Sequence, residues 1–355
     1  MFKKLGVVCL CLSMVPAAFA AELPTEFDAK SKYRLDYSDL NAVLGSAVLD
    51  MGPSTHKRAK KPRSSTSSRM VLANPLPSRL EGNRVMYDKF QDAQVQYLAG
   101  MRDDLLAIPS QLPIEKLSKN AQLAYWFNLH NAIVLAKLAD EYPITRLGPL
   151  FDVDDEDAFY RQRIFDLSGT MISLEDIQNH VMENWDDPLV IYGFYMGAIG
   201  TPNVRKTAYT ARTVYDDLKA NAVDYVNSVR GTQVWKKKEL RVSKYYERMA
   251  GKFPNFEDDV LKHVRRYSKP SFLSKIGGID KVSARIEDWH IADLYNGKLA
   301  QVGGSSASNS TDALGINIVS DLPDHVVELL RYRDEKNADM RREGIVDVEE
   351  VVDGR

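Results

Sequence analysis

The sequence predicts a helix-rich α+β fold: one globular domain with a small β-sheet, then a flexible linker and a C-terminal helix. Three observations support this class. Apolar residues recur with the helical period along most of the chain, short β-type stretches interrupt them, and residues 303–313, GGSSASNSTDA, have the composition of a linker. We expect a leader over 1–20, an N-terminal helix and basic loop over 21–79, a core domain over 80–300, and a linker with a charged helix over 301–355.

The first twenty residues have the pattern of a secretory signal peptide. Lys3 and Lys4 precede an apolar run over 5–15, and the small residues AFA end at Ala20. This run is shorter than the roughly 20 residues that cross a bilayer, which favours cleavage over a membrane anchor. We therefore expect an exported protein, periplasmic or secreted, with no transmembrane helix after cleavage.

The only two cysteines, Cys9 and Cys11, lie in this leader, so the mature chain is expected to contain no thiol. That excludes disulfides, cysteine nucleophiles and cysteine metal ligands. Without Lys3 and Lys4 the chain has 45 basic and 49 acidic side chains, a formal net charge of −4. This balance argues against a nucleic-acid-binding protein.

The first predicted helix starts at Ser38 and ends at Gly52. A basic, Ser-rich stretch follows, and it has little apolar content on which to fold. One interpretation is a solvated loop, and the other is a contact with anionic lipid or cell-wall polymer through its basic side chains. These side chains are Lys57, Arg58, Lys60, Lys61 and Arg63.

The helical period resumes near Leu80, and Pro109 and Pro113 are expected to end it before Ser118 opens the next helix. Two short strands are expected around the Ser-Gly turn at 168–169. After them, Ser173 and Asp176 form a predicted capping box. The apolar run LVIYGFYM, 189–196, suits either a buried strand or a buried helix, and its length favours a strand.

Helices are also predicted over 211–230, with Gly231 ending the helix, and over 245–250 and 260–267. A basic patch over 236–238 adjoins a short β-like stretch. The charged C-terminal pattern has a thin apolar stripe, which suits docking either on its own domain or on a partner.

The helix AYWFNLHNAIV, 124–134, is apolar all round but contains three polar side chains. Asn128 and Asn131 are three residues apart and share a face. An unpaired buried amide costs about 1–3 kcal/mol, so each needs a partner, in either a polar network or a pocket wall. His130 points elsewhere and is either a packed histidine or a base or metal ligand.

The stretch MGAIGTPNVR, 196–205, predicts a tight turn that presents side chains or backbone N–H groups to a ligand. The expected pocket combines this turn with the polar helix, and its residues are Asn128, His130, Asn131, Gly197, Gly200 and Pro202. Thr201 is the hydroxyl at the bend. No motif for a cofactor or metal is present, so none is expected.

Two stretches contain residue types that can bind metals, but neither pattern indicates a site. His180 and Glu183 are three residues apart on a predicted helix, a pairing common by chance. The acidic stretch FDVDDED has Asp157 and Arg163 where a calcium loop needs Gly and Glu, which favours an acidic surface loop.

Five ordered blocks together resemble the domain-of-unknown-function 547 family, over roughly 80–300, with a weaker match near 33–50. They are AYWFNLHNAIVL, ISLEDIQNHVM, DPLVIYGFYMGAIGTPNVR, AYTARTVYDDLKANAVDYV and IEDWHIADLYN. The resemblance implies no established activity, since the family is largely uncharacterised.

The resemblance implies that Asn128 and Asn131 match the family pattern and that His130 replaces a Tyr. Met196 and Thr201 stand where many members have Cys, and Gln178 and Asn179 replace a Glu-His pair, with His180 one place later. We therefore expect a binding or accessory protein without thiol catalysis, for an unknown small molecule or cell-envelope component. The alternative is a hydrolase or acyl-transfer enzyme that uses Thr201 with His180 as base.

Overall fold

A computed structural model describes residues 23–60, 74–299 and 322–352, with side chains except at 340 and 342–352. The predicted leader, Lys61, Arg63 and the linker over 303–313 lie outside the described residues. The α+β class is confirmed, because helices predominate and the sheets are small. In the described ranges, every helix is too short or too polar to traverse a lipid bilayer.

Helix α1, Ser38–Ala47, is followed by strand β1, Val48–Leu49, which pairs antiparallel with β2, Arg84–Val85. The predicted helix to Gly52 is therefore too long. It ends early because Val48 becomes extended and pairs with Val85 of the distant β2.

Helix α2, Asp92–Gln111, continues through Pro109, which was expected to end it. A proline inside a helix leaves the carbonyl four residues earlier without its hydrogen bond. That carbonyl belongs to Leu105, and it accepts a hydrogen bond from the Tyr125 hydroxyl at 3.0 Å. The neighbouring helix therefore offsets the main cost of the proline.

Helix α3, Lys119–Asp140, lies at the centre of the core and contacts α2, α4 and α5. Ser118 caps it as predicted, since its side chain accepts from the Ala121 N–H. Seventeen of its side chains are buried, including Asn128, whereas Asn131 is partly exposed.

Strands β3, Phe165–Leu167, and β4, Thr170–Ile172, form the predicted hairpin. Helix α4, Leu174–Asn184, starts with the predicted capping box. The Ser173 hydroxyl accepts from the Asp176 N–H at 3.0 Å, and the Asp176 carboxylate accepts from the Ser173 N–H at 2.9 Å.

The predicted strand over 189–196 is wrong, because Pro188–Gly193 forms a 3-10 helix instead. No strand lies beside it among the described residues, so side chains satisfy its backbone carbonyls. Asn221 donates to Tyr192 O at 3.1 Å, and Tyr245 donates to Ile191 O. The apolar run is buried by surrounding helices rather than by a sheet.

Helix α5, Val214–Val226, ends before the predicted Gly231, because the Asn227 side chain binds the Val223 carbonyl at 2.7 Å. A three-stranded sheet follows, in which β5, Thr232–Trp235, pairs antiparallel with β6, Glu239–Ser243, and β6 pairs parallel with β7, Lys281–Ile286. The basic patch over 236–238 forms the β5–β6 turn. Helices α6, Lys244–Arg248, α7, Phe256–Tyr267, and α8, Pro270–Ile276, connect β6 to β7.

The C-terminal helix α9, Asp324–Val352, docks on its own domain. Leu329 and Tyr332 are buried against Met51 and Leu80. An ion pair of 2.6 Å between Arg79 and Glu328 supports the contact.

Candidate functional site

Asn128 forms two hydrogen bonds with the backbone of Tyr209. Its Nδ2 donates to Tyr209 O at 2.9 Å, and its Oδ1 accepts from the Tyr209 N–H at 2.9 Å. The side chain is only 2% exposed, so both partners are needed to satisfy it. Asn128 thereby fixes α3 to the loop that precedes α5.

Asn131, one turn later, holds the loop after the 3-10 helix in the same way. Its Nδ2 donates to Gly193 O at 3.0 Å, and its Oδ1 accepts from the Tyr195 N–H at 2.9 Å. The two amides therefore form a structural polar network, in which each uses one N–H and its oxygen on the backbone of a distant loop. This arrangement matches the polar-network interpretation.

His130 is fully buried and packs edge-on against Phe194, with the ring centroids 5.0 Å apart. Its Nδ1 lies 3.1 Å from the Asn131 carbonyl oxygen, and its Nε2 has no partner among the described residues. Burial lowers the pKa of His130 to about 4, so the ring is neutral at pH 7. It behaves as a packed histidine.

The glycines of the predicted turn allow close packing. Gly197 has a φ of +75°, and a Cβ there would lie 2.2 Å from Leu138 Cδ1. A Cβ on Gly200 would lie 2.6 Å from the Asp288 backbone oxygen. Pro202 is buried beside them. The turn pairs with the segment after β7, because Gly200 N donates to Asp288 O at 2.8 Å and Ile199 N to His290 O at 2.9 Å.

Thr201 and His180 occupy separate environments. The Thr201 hydroxyl is buried and donates to Ala198 O at 2.9 Å. The His180 ring packs against Trp126 and Trp185, with centroids 4.9 and 5.8 Å away, and burial lowers its pKa to about 4. No hydrogen bond joins Thr201 to His180 in the described part of the chain.

A cleft of about 740 Å³ opens beside Gly200 and Thr201. We call it the Thr201 cleft. Four further segments line it: the 3-10 helix Gly148–Phe151, the acidic loop at 152–154, the start of α6 with Ser243, and residues 286–289. It therefore contains two of the predicted site residues but not Asn128, His130, Asn131, Gly197, Pro202 or His180.

Acidic side chains dominate the rim of the Thr201 cleft. Asp152, Asp154 and Glu247 are exposed and have no ion-pair partner among the described residues. Glu287 pairs with Lys244 at 2.8 Å, and this hydrogen bond raises the pKa of Lys244. Uncompensated negative charge therefore faces the cleft.

Arg248, like Lys244, is a cation that lines the cleft, and its guanidinium contacts other groups of the protein. Its Nη1 donates to Phe151 O at 2.7 Å, and its guanidinium lies 4.1 Å from the centre of the Tyr160 ring. An aromatic wall stands beside it, where Trp289 stacks on Phe151 with centroids 5.9 Å apart and an interplanar angle of 13°.

A family model matches residues 114–226. The family is DUF547, a protein family of unknown function. This match confirms the family resemblance over 114–226, which contains α3, α4, the glycine turn and α5. The wider extent, 80–300 with 33–50, stays a prediction. No curated protein and no solved structure matches the chain.

The Thr201 cleft lies at the boundary of the DUF547 segment. That segment supplies the acidic loop, Gly200 and Thr201, whereas Glu247, Arg248 and Trp289 come from the chain after it. Sequence reasoning did not single out these three residues. Of the sequence features, the block IEDWHIADLYN, 286–296, includes Trp289, but it contributes only to the family resemblance.

A second arrangement that sequence reasoning missed is the buried pair Asp288 and His290. His290 Nδ1 lies 2.7 Å from Asp288 Oδ1, and the other carboxylate oxygen accepts from Ser78 at 2.8 Å and from Asn74 at 3.2 Å. The sequence pattern that could have revealed this pair is an acid and a histidine two residues apart on an extended segment. Side chains at that spacing lie on the same face of the segment.

The remaining predicted residues have these positions. Lys57 pairs with Glu335 at 3.2 Å, Arg58 donates to Gln233 at 2.6 Å, and Lys60 is exposed. The acidic loop at 152–157 is exposed, as predicted. Within the described ranges, no three His, Cys, Asp or Glu side chains are grouped closely enough to hold a metal.

Proposed function

We propose that this is an exported binding protein whose Thr201 cleft takes a ligand bearing a cationic amine. Export follows from the leader pattern over 1–20. The observation that carries the ligand class is the set of three unpaired carboxylates, Asp152, Asp154 and Glu247, around a cleft of about 740 Å³. A cavity of this size suits a small molecule or a short fragment of a cell-envelope polymer.

The charges of the cleft favour a cation over an anion. Lys244 pairs with Glu287, and Arg248 keeps its positive charge, since its contacts are with a carbonyl oxygen and an aromatic ring. Against these two cations stand five acidic lining residues, so the formal charge of the cleft lining is negative, which attracts positive charge and repels negative charge. The acids are Asp152, Asp154, Glu247, Glu287 and Asp288. The exposed part of Trp289 adds an aromatic face, a favourable contact for an ammonium group.

The hydroxyl groups of the cleft favour binding over nucleophilic catalysis. The Thr201 hydroxyl donates to Ala198 O at 2.9 Å, and the Ser243 hydroxyl donates to Gly200 O at 3.3 Å. An alcohol needs an adjacent base to become a nucleophile, and no histidine is among the residues that line the cleft.

Calorimetric titration of the purified protein with amines tests this function. The probes are glucosamine, spermidine and lysyl-lysine, with N-acetylglucosamine as the neutral match for glucosamine. We expect binding of at least one amine, no binding of N-acetylglucosamine, and weaker binding at high salt. Glu247→Gln should weaken amine binding about fivefold, the loss expected for one solvent-exposed charge contact.

Glu257→Gln is the matched control, since Glu257 is an exposed glutamate on α7 that does not line the cleft. This variant should bind amines like the unaltered protein. If no amine binds, or if Glu247→Gln and Glu257→Gln bind amines with equal affinity, the proposed ligand class is wrong.

A further inference from the structure

A second cavity, of about 580 Å³, lies on another face of the core. Its walls are the segment just before α1, the first turns of α3, and residues 210–212. We call it the Arg34/Arg212 groove. It shares no lining residue with the Thr201 cleft.

The charge of this groove is opposite to that of the cleft. Among the described residues, Arg34 and Arg212 are the charged side chains that line it, and both are exposed. Neither has an ion-pair partner among the described residues, whereas Arg163, Arg205 and Arg230 each pair with an aspartate. Two unpaired guanidinium groups at one cavity favour a carboxylate or phosphate.

The body of the groove is apolar. Leu35, Ala121, Ala124 and Ala211 line it, and three of these four side chains are small. A carboxylate or phosphate alone would not fill such a space, whereas an alkyl chain would bury apolar surface there.

The Tyr37 side chain also lines the groove, and the Asn128 side chain is the hydrogen-bonding neighbour of its buried hydroxyl. Burial raises the pKa of Tyr37, so the hydroxyl stays protonated and is a donor. Asn128 therefore connects this wall of the groove, through Tyr37, to the Tyr209 backbone that it also binds.

We propose that the Arg34/Arg212 groove binds a single-chain amphiphilic anion, with its carboxylate or phosphate at the two arginines and its alkyl chain along Ala121, Ala124 and Ala211. Asn128 supports this site indirectly. By holding the Tyr209 backbone it positions Thr210, Ala211 and Arg212, which form one wall.

The test is titration of the full chain with decanoate and decyl phosphate below their micelle-forming concentrations. Decanol and decyltrimethylammonium are the neutral and cationic matches. We expect saturable binding of both anions, a raised melting temperature, and little response to either match. The double variant Arg34→Gln/Arg212→Gln should weaken anion binding about tenfold, because two charge contacts are lost.

Two further variants distinguish the contribution of the groove's volume to binding from that of its charge. Ala211→Phe fills the groove without altering its charge and should abolish binding, whereas Arg285→Gln, at an exposed arginine on β7, should leave it unchanged. Circular dichroism shows whether each variant is folded. The proposal would be overturned if decanol bound as well as decanoate, or if the double variant bound the anions with unaltered affinity. It would also be overturned if the protein associated only with anionic vesicles and not with the free anions.

Discussion

Asn128 of α3 is joined to the backbone of Tyr209, 81 residues further along the chain, by two hydrogen bonds of 2.9 Å. The side-chain amide donates one N–H to the Tyr209 C=O and accepts the Tyr209 N–H on its oxygen, as a neighbouring strand would. This link and the matching one from Asn131 attach two irregular loops to the most buried helix of the protein.

Replacing Asn128 by alanine should therefore destabilise the fold. The change leaves the N–H and C=O of Tyr209 buried and unpaired, which costs roughly 2–4 kcal/mol in the free energy of unfolding. Urea unfolding followed by tryptophan fluorescence measures the loss. Asn120→Ala, at an exposed asparagine of the same helix, is the control and should change stability by less than about 0.5 kcal/mol.

Stability should decrease as the pH falls from about 6.5 to about 4. Burial lowers the pKa of His130 from its ordinary 6.5 to about 4, so in this range the unfolded chain binds a proton that the folded chain does not. His56, His180 and His263 have pKa values lowered to about 4 by burial as well, and they add in the same direction. His130→Phe should reduce the slope of stability against pH by up to about 1.4 kcal/mol per pH unit.

The protonation of Asp293 should oppose this loss of stability over part of the same pH range. Burial raises its pKa to about 6, so the folded chain holds a proton between about pH 6 and 4 that the unfolded chain releases. Asp293→Asn removes this opposing contribution. Chemical denaturation at several pH values should therefore show a steeper acid loss for Asp293→Asn and a shallower one for His130→Phe. Parallel curves for the two variants would contradict the assignment.

Two glycine substitutions should have effects of opposite sign. Gly200→Ala should destabilise by roughly 2–3 kcal/mol, because the new Cβ would lie 2.6 Å from the Asp288 backbone oxygen and neither chain segment can yield cheaply. At Gly45, on the exposed face of α1, nothing lies within 4 Å of a new Cβ. Gly45→Ala should stabilise by about 0.5–1 kcal/mol, and thermal unfolding of both variants provides the comparison.

Docking of α9 should depend on its buried tyrosine more than on its surface ion pairs. Tyr332 is 5% exposed, and its hydroxyl lies 2.8 Å from that of Thr55. Tyr332→Ala should increase amide hydrogen exchange over 324–339, because it removes the largest apolar contact of the helix. Glu335→Gln breaks only the exposed pair with Lys57 and should leave the exchange nearly unchanged.

Elements governed by local rules were predictable. Ser118, the capping box of Ser173 and Asp176, and the hairpin turn at Ser168 and Gly169 each depend on residues within a few positions of one another. Errors occurred where a distant partner decides the conformation. Pro109 is tolerated in α2 because Tyr125 binds the carbonyl it frees, and the run over 189–196 is not a strand because side chains, not a neighbouring strand, bind its carbonyls.

The sequence by itself determined the helix-rich class, the family resemblance, the absence of cysteine after residue 20, and the requirement that Asn128 and Asn131 find partners. Those features depend on composition, on local spacing and on the cost of burying an unpaired amide. Only the tertiary structure decided which backbone groups the amides bind, and that the cavities lie beside Thr201 and between Arg34 and Arg212. The reason is physical: a cavity is formed by side chains from segments far apart in the chain, and no local pattern records which of them meet.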